Sequence, residues 1–120
     1  MNVSELIREI VETYQKYGWQ LRRVLLRPET RAELEQQPMS VGNAELVNSE
    51  VDGLWFSRNS HNNREAWELR LLAENPFALF ETFEPDETEE QREEMRREME
   101  ARLREQVGGG RSDEGGVMSD

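Results

Sequence analysis

The chain has no cysteine in its 120 residues, which excludes disulfides, thiol nucleophiles and thiolate metal sites. Its fold must be held by packing alone. His61 is the single histidine, so neither a two-histidine metal site nor a Cys–His nucleophile pair can form within one chain. No run approaches the ~20 apolar residues that span a bilayer. No glycine-rich phosphate loop or dinucleotide fingerprint is present, because the run Gly108-Gly109-Gly110 precedes no helix. Lysine is nearly absent too: Lys16 is the lone lysine among 15 basic residues, a pattern that reads as compositional bias rather than chemistry.

What is present is acid, unevenly spread. The formal net charge is 26 acids against 15 bases, or -11. Residues 1–83 carry 13 acids and 9 bases, and residues 84–120 carry 13 acids and 6 bases. Leu, Ile, Val and Phe number 23 in the first segment and 3 in the second, about 28% and about 8%. The second figure falls below the ~20% associated with disorder. The expected division is a small domain over 1–83, a charged helix over 84–107 and a disordered glycine-rich tail over 108–120. A chain this short has room for one core at most. The opening MNVSELIREIVETY has neither the basic start nor the uninterrupted apolar run of a signal peptide, so the cytoplasm is the expected location.

Periodicity places the elements. Val3, Leu6, Ile7, Ile10, Val11, Tyr14 and Tyr17 recur at three- and four-residue spacing, which predicts an amphipathic helix. Asn2 and Glu5 have capping-box spacing at its start, and Gly18 suits its end. Trp19 to Leu26 predicts a strand whose apolar face Arg23 interrupts. Pro28 suits a first helical position, opening a short helix to Gln36. Residues 38–50 read as a loop in which Glu45 to Val47 could pair briefly.

Strands around Leu54–Ser57 and Glu65–Leu72 flank Asn59-Ser60-His61-Asn62-Asn63, a turn-forming stretch, and predict a hairpin. Phe77–Phe83 supplies a further strand. The fold class is therefore α+β, a helix packed on a small antiparallel sheet of three to four strands. From Asp86 to Gln106 a charged helix follows, with Asp86 and Glu89 in capping-box spacing and Glu93/Arg97, Glu98/Arg102 and Glu100/Arg104 at i, i+4.

Catalytic constellations are thin. His61 with Ser57 or Ser60 lacks the glycine-flanked elbow of a serine nucleophile and fits a solvated turn. Asp52 with Glu68-Leu69-Arg70 has the spacing of a carboxylate pair that could hold Mg²⁺ against a phosphate. With its leading helix and three strands, this arrangement resembles the restriction-endonuclease-like core, which implies a metal-dependent nuclease. The chain departs from that pattern at Arg70, since a guanidinium that stays protonated is a poor base. A charge of -11 also repels nucleic acid.

No catalytic set, metal site or cofactor is therefore expected. The expected function is a non-enzymatic protein-binding module, either accessory, adaptor or regulatory, whose partner is another protein with a basic surface. Met95, Met99 and Leu103 form a thin seam on the charged helix, and with Trp55 and Trp67 they are the candidate partner-binding residues. An acidic mimic of nucleic acid is one alternative. A second is a homodimer resembling secretion chaperones, a likeness of size and acidity alone. Neither nucleic acid nor membrane is an expected partner.

Overall fold

The computed structural model describes residues 2–37, 39 and 41–115, with side chains as far as Gly108. Helix α1, Val3–Lys16, opens with the expected capping box: Glu5 N–H donates to Asn2 Oδ1 at 2.9 Å and Asn2 N–H to Glu5 Oε1 at 3.3 Å. It ends where Gly18 takes a φ of +87°, a conformation glycine adopts without strain. Strand β1 spans Gln20–Leu26, and helix α2, Pro28–Gln36, begins on proline as expected.

Within the expected loop, the stretch from Glu45 to Val47 pairs as anticipated and forms strand β2, Glu45–Asn48. It lies parallel to β1 in the register Arg23↔Glu45 to Leu26↔Asn48. Helix α2 is the crossover that a parallel pair requires. Strands β3, Gly53–Asn59, and β4, Glu65–Leu71, form the hairpin around a single 3₁₀ turn at His61–Asn63, and β5 spans Ala78–Phe83. The fold is α+β, but the sheet has five strands in the order β2-β1-β3-β4-β5, with one parallel pair, rather than three or four antiparallel ones.

Two apolar layers flank this sheet. Ile7, Ile10, Val24, Leu26, Leu34, Leu54 and Phe56 form one beneath α1 and α2. Leu25, Val51, Trp55, Trp67, Leu69, Phe83, Met99 and Leu103 form the other beneath helix α3, Glu89–Gly115. This explains the continuous runs Val24-Leu25-Leu26 and Leu54-Trp55-Phe56, because a strand buried on both faces has no wet positions to alternate with. The register of β1 against β3 shifts between Leu21 and Arg23. The bulge returns Leu21 to the α1 side and leaves Arg23 on the α3 side, where it interrupts the apolar layer of Leu25 and Trp55 and pairs with Glu93.

Helix α3 begins at a different cap from the one expected. Thr88 and Gln91, not Asp86 and Glu89, exchange the reciprocal bonds: Thr88 N–H to Gln91 Oε1 at 2.9 Å and Gln91 N–H to Thr88 Oγ1 at 3.1 Å. Two of the expected i, i+4 partners are also drawn off toward the sheet. Glu93 accepts from Arg23 Nη2 at 2.9 Å and from Arg96 Nε at 3.0 Å, while Glu100 accepts from the Trp55 indole at 2.8 Å. The backbone remains helical through the glycine run to Gly115, past the expected end at residue 107. Residues 116–120 of the expected tail lie outside the described residues.

Arg96 is the centre of the joint between α3 and the sheet, only 1% exposed, with its guanidinium 4.3 Å from the centroid of the Trp67 ring. Glu89 and Glu93 both accept its hydrogen bonds. Burial alone would raise the Glu93 pKa, but the hydrogen bonds from Arg23 and Arg96 outweigh it, so the carboxyl sits below its ordinary value of 4.5. Arg23 is shifted upward: burial works against its charge, and Glu93 more than compensates.

Two outcomes follow from this joint. Met99→Ala and Leu103→Ala should each cost about 2–5 kcal/mol in urea denaturation, as for deletions at fully packed sites. A cost under about 0.5 kcal/mol would mean that α3 is a solvated helix. Because the folded Glu93 pKa is depressed, its contribution is present above pH 4.5 and is lost as pH falls through the lower folded value. Glu93→Gln should therefore lower stability at neutral pH and flatten its decline toward acid. An unchanged slope in denaturation midpoint against pH would contradict this.

Candidate functional site

The α1-side face of β4 and β5 runs from beneath the helices to an edge of the sheet. Registers put Phe56, Glu68 and Phe80 in one row across the sheet, with Arg58, Ala66 and Thr82 in the next. Phe56 lies under α1, and Phe80 at the sheet edge is 57% exposed.

A line of rings follows this row. The Tyr14 ring of α1 stacks on Phe56, with centroids 4.0 Å apart and planes 8° from parallel. Trp19 meets Tyr14 edge-on at 6.1 Å and Phe80 edge-on at 6.3 Å. Gly18 makes this arrangement possible, because its left-handed backbone turns the chain sharply between Tyr17 and Trp19. Arg58 lies 4.5 Å over the Trp19 ring and donates to the carbonyl of Tyr17, whose own side chain is 68% exposed. The hollow among Thr13, Tyr14, Tyr17, Trp19, Arg58 and Glu68 measures about 370 Å³.

Within it the Tyr14 hydroxyl donates to Glu68 Oε2. Burial, then the hydrogen bond and charge of Glu68, push the phenol pKa up, and Arg70 opposes them. A larger cleft of about 860 Å³ lies between α1 and β1, with Ile7, Val11 and Leu21 among its lining and exposed Arg8, Glu12 and Gln20 at its rim.

The structure assigns other work to the carboxylates of the nuclease-like arrangement. Asp52 accepts from the Arg27 backbone N–H at 2.7 Å and from the Thr30 hydroxyl at 2.7 Å, holding the first turn of α2, where a carboxylate also complements the helix dipole. Asp52 stands at the β3 start, and Glu68 pairs with Phe56 four residues on, a separation of about 13 Å at the strand rise of ~3.3 Å per residue. They do not converge. Arg70 donates to the carbonyls of Leu71 and Ala73. Among the described residues no group of three or more His, Cys, Asp or Glu could hold a metal ion.

His61 and Ser60 are exposed in the turn, while Ser57 is buried in β3. The five candidate partner residues do come together, but facing inward. Trp55, Met99 and Leu103 are fully buried, Trp67 is 7% exposed, and Met95 packs against them. Their seam is the internal joint between α3 and the sheet, not an outer surface. The physical reason is the exposed alternative: without α3, one complete face of β3 and β4 would be bare.

The periodicity of the sequence puts Tyr17 on the apolar face of α1 and places Trp19 and Phe80 within strands. The signal available for Phe80 was its phase, opposite to that of Leu79, Glu81 and Phe83, which all face α3. Comparison with protein-family models, with curated proteins and with solved structures finds no match to this chain.

The Tyr14–Glu68 bond has a spectroscopic consequence. With the folded pKa raised, an ultraviolet titration should show one tyrosine still protonated well above the ordinary value of 10.0. Glu68→Gln should bring it down. The phenol's contribution to stability is present below pH 10.0 and is lost as pH rises toward the folded value. A titration identical in both proteins would contradict the bond.

Proposed function

We propose that this chain is a non-enzymatic accessory module that binds another protein through the aromatic face of α1, β4 and β5. The observation that carries the reading is the exposure of Tyr17 at 68% and Phe80 at 57% around Trp19. Large apolar rings left in water beside a polar rim are the usual mark of a contact surface, and tyrosine and tryptophan dominate interface energetics. The α3 seam, by contrast, is already occupied by the protein's own core.

The net charge of -11 favours a partner with a basic surface through faster encounter and selection against acidic competitors. No helix among the described residues is long and apolar enough to cross a membrane. The absence of cysteine suits work in the cytoplasm.

The test is partner recovery with the double variant Tyr17→Ala/Phe80→Ala. It should fold with stability within about 0.5 kcal/mol of the native chain, since both side chains are mostly exposed. It should lose the partner that the native protein recovers, by about 2 kcal/mol or roughly 30-fold in affinity. Retention of that partner, with loss on Glu90→Lys/Glu94→Lys instead, would move the surface to α3.

A further inference from the structure

We infer that the outer edge of β5 takes up an extended, basic segment of the partner as a sixth strand. This rests on the protein-binding reading above and supplies its mode. Leu71 N–H donates to the Phe77 carbonyl at 2.8 Å, so that pair is hydrogen-bonded, and the register alternates from there. Residues 79, 81 and 83 bond inward to β4. The N–H and C=O groups of Ala78, Phe80 and Thr82 point outward, and β5 ends the sheet, so no sixth strand among the described residues meets them.

Edges of this kind are normally blunted by lysine, proline, a bulge or brevity. The opposite edge, β2, is only four residues long. Strand β5 has six residues, ALFETF, without proline, glycine or lysine, and its pairing with β4 has no register shift. Its one charge is Glu81, which makes no ion pair among the described residues.

That charge selects the occupant. Two copies pairing through their outward groups would centre on Phe80, setting Leu79 opposite the second Glu81 and bringing both Glu81 side chains within a diagonal of ~7–8 Å. Each copy also carries -11, so self-pairing sets like charges together. A segment alternating apolar and basic residues fits both faces. Its apolar positions lie beside Phe80 and Trp19, its basic ones beside Glu81. Backbone bonds then supply affinity and the alternate side chains supply specificity.

The test uses the labelled full-length chain and two synthetic peptides, one alternating valine and lysine, the other valine and glutamate. The lysine peptide should slow amide exchange at Ala78, Phe80 and Thr82 about tenfold, and the glutamate peptide should not. Ala78→Pro removes one outward N–H at the strand's first residue, where proline is tolerated, and should weaken lysine-peptide binding about tenfold. Glu81→Arg leaves the edge intact and should reverse the peptide preference.

Absence of protection with either peptide would overturn the inference. So would protection that rises with protein concentration alone, which would give the edge to a second copy. A native partner lost on Tyr17→Ala/Phe80→Ala but retained by Ala78→Pro and Glu81→Arg would leave the docking face standing and remove strand addition. A partner retained by all of these variants would remove both.

Discussion

A buried guanidinium lies at the centre of the joint between α3 and the sheet. Arg96 sits over the Trp67 ring with Glu89 and Glu93 as its acceptors, and Arg23 shares Glu93 from the sheet side. A charge that is 1% exposed is tolerable only when its donors are met and an aromatic face stabilises the cation. The ring contact, with the bonds Arg23–Glu93, Arg92–Glu65 and Trp55–Glu100 that cross from the sheet, fixes where α3 lies. Once it lies there, Met99 and Leu103 close the second apolar layer, and Gly53 leaves the space that Leu103 needs, since a Cβ there would come within 3.3 Å of its Cδ2. The charged helix is thus a structural layer, its inner side carrying the buried Arg96 beside Met99 and Leu103.

With both faces of β1 and β3 covered, the places left for contact are few. Asp52, His61 and the tryptophan pair are each occupied by a cap, a turn or the core. The exposed rings at Tyr17 and Phe80 remain, beside a strand whose outward backbone groups pair with no strand among the described residues. These two features lie at one corner of the sheet, so a partner can engage both together. The acidic charge of the chain then acts as a filter on which partner approaches.

Much of the architecture was readable from residue spacing. The caps at Asn2, Gly18 and Pro28 and the hairpin around His61 are local chemistry, set by side chains within a few residues of one another. What escaped the sequence was non-local. Strand β2 was legible only as a brief pairing, and its parallel partner, a strand some twenty residues earlier, was not legible at all. The thin Met95-Met99-Leu103 stripe gave no sign that Arg96 would be buried beside it, because an arginine reads as solvent until an aromatic ring and two carboxylates are brought around it. The contact surface was hidden in the same way. Tyr17 and Phe80 have the composition of core residues, and only the placement of helices over one part of the sheet leaves them outside.

Native-state hydrogen exchange on the free, full-length chain tests most directly whether α3 is integral to the fold while β5 keeps an open edge. The account predicts that amides from Arg96 to Leu103 open only with the free energy of global unfolding, together with those of β3, while Ala78, Phe80 and Thr82 exchange fast and their neighbours Leu79 and Glu81 slowly. Rapid exchange along α3, at a small fraction of the global unfolding free energy, would contradict it.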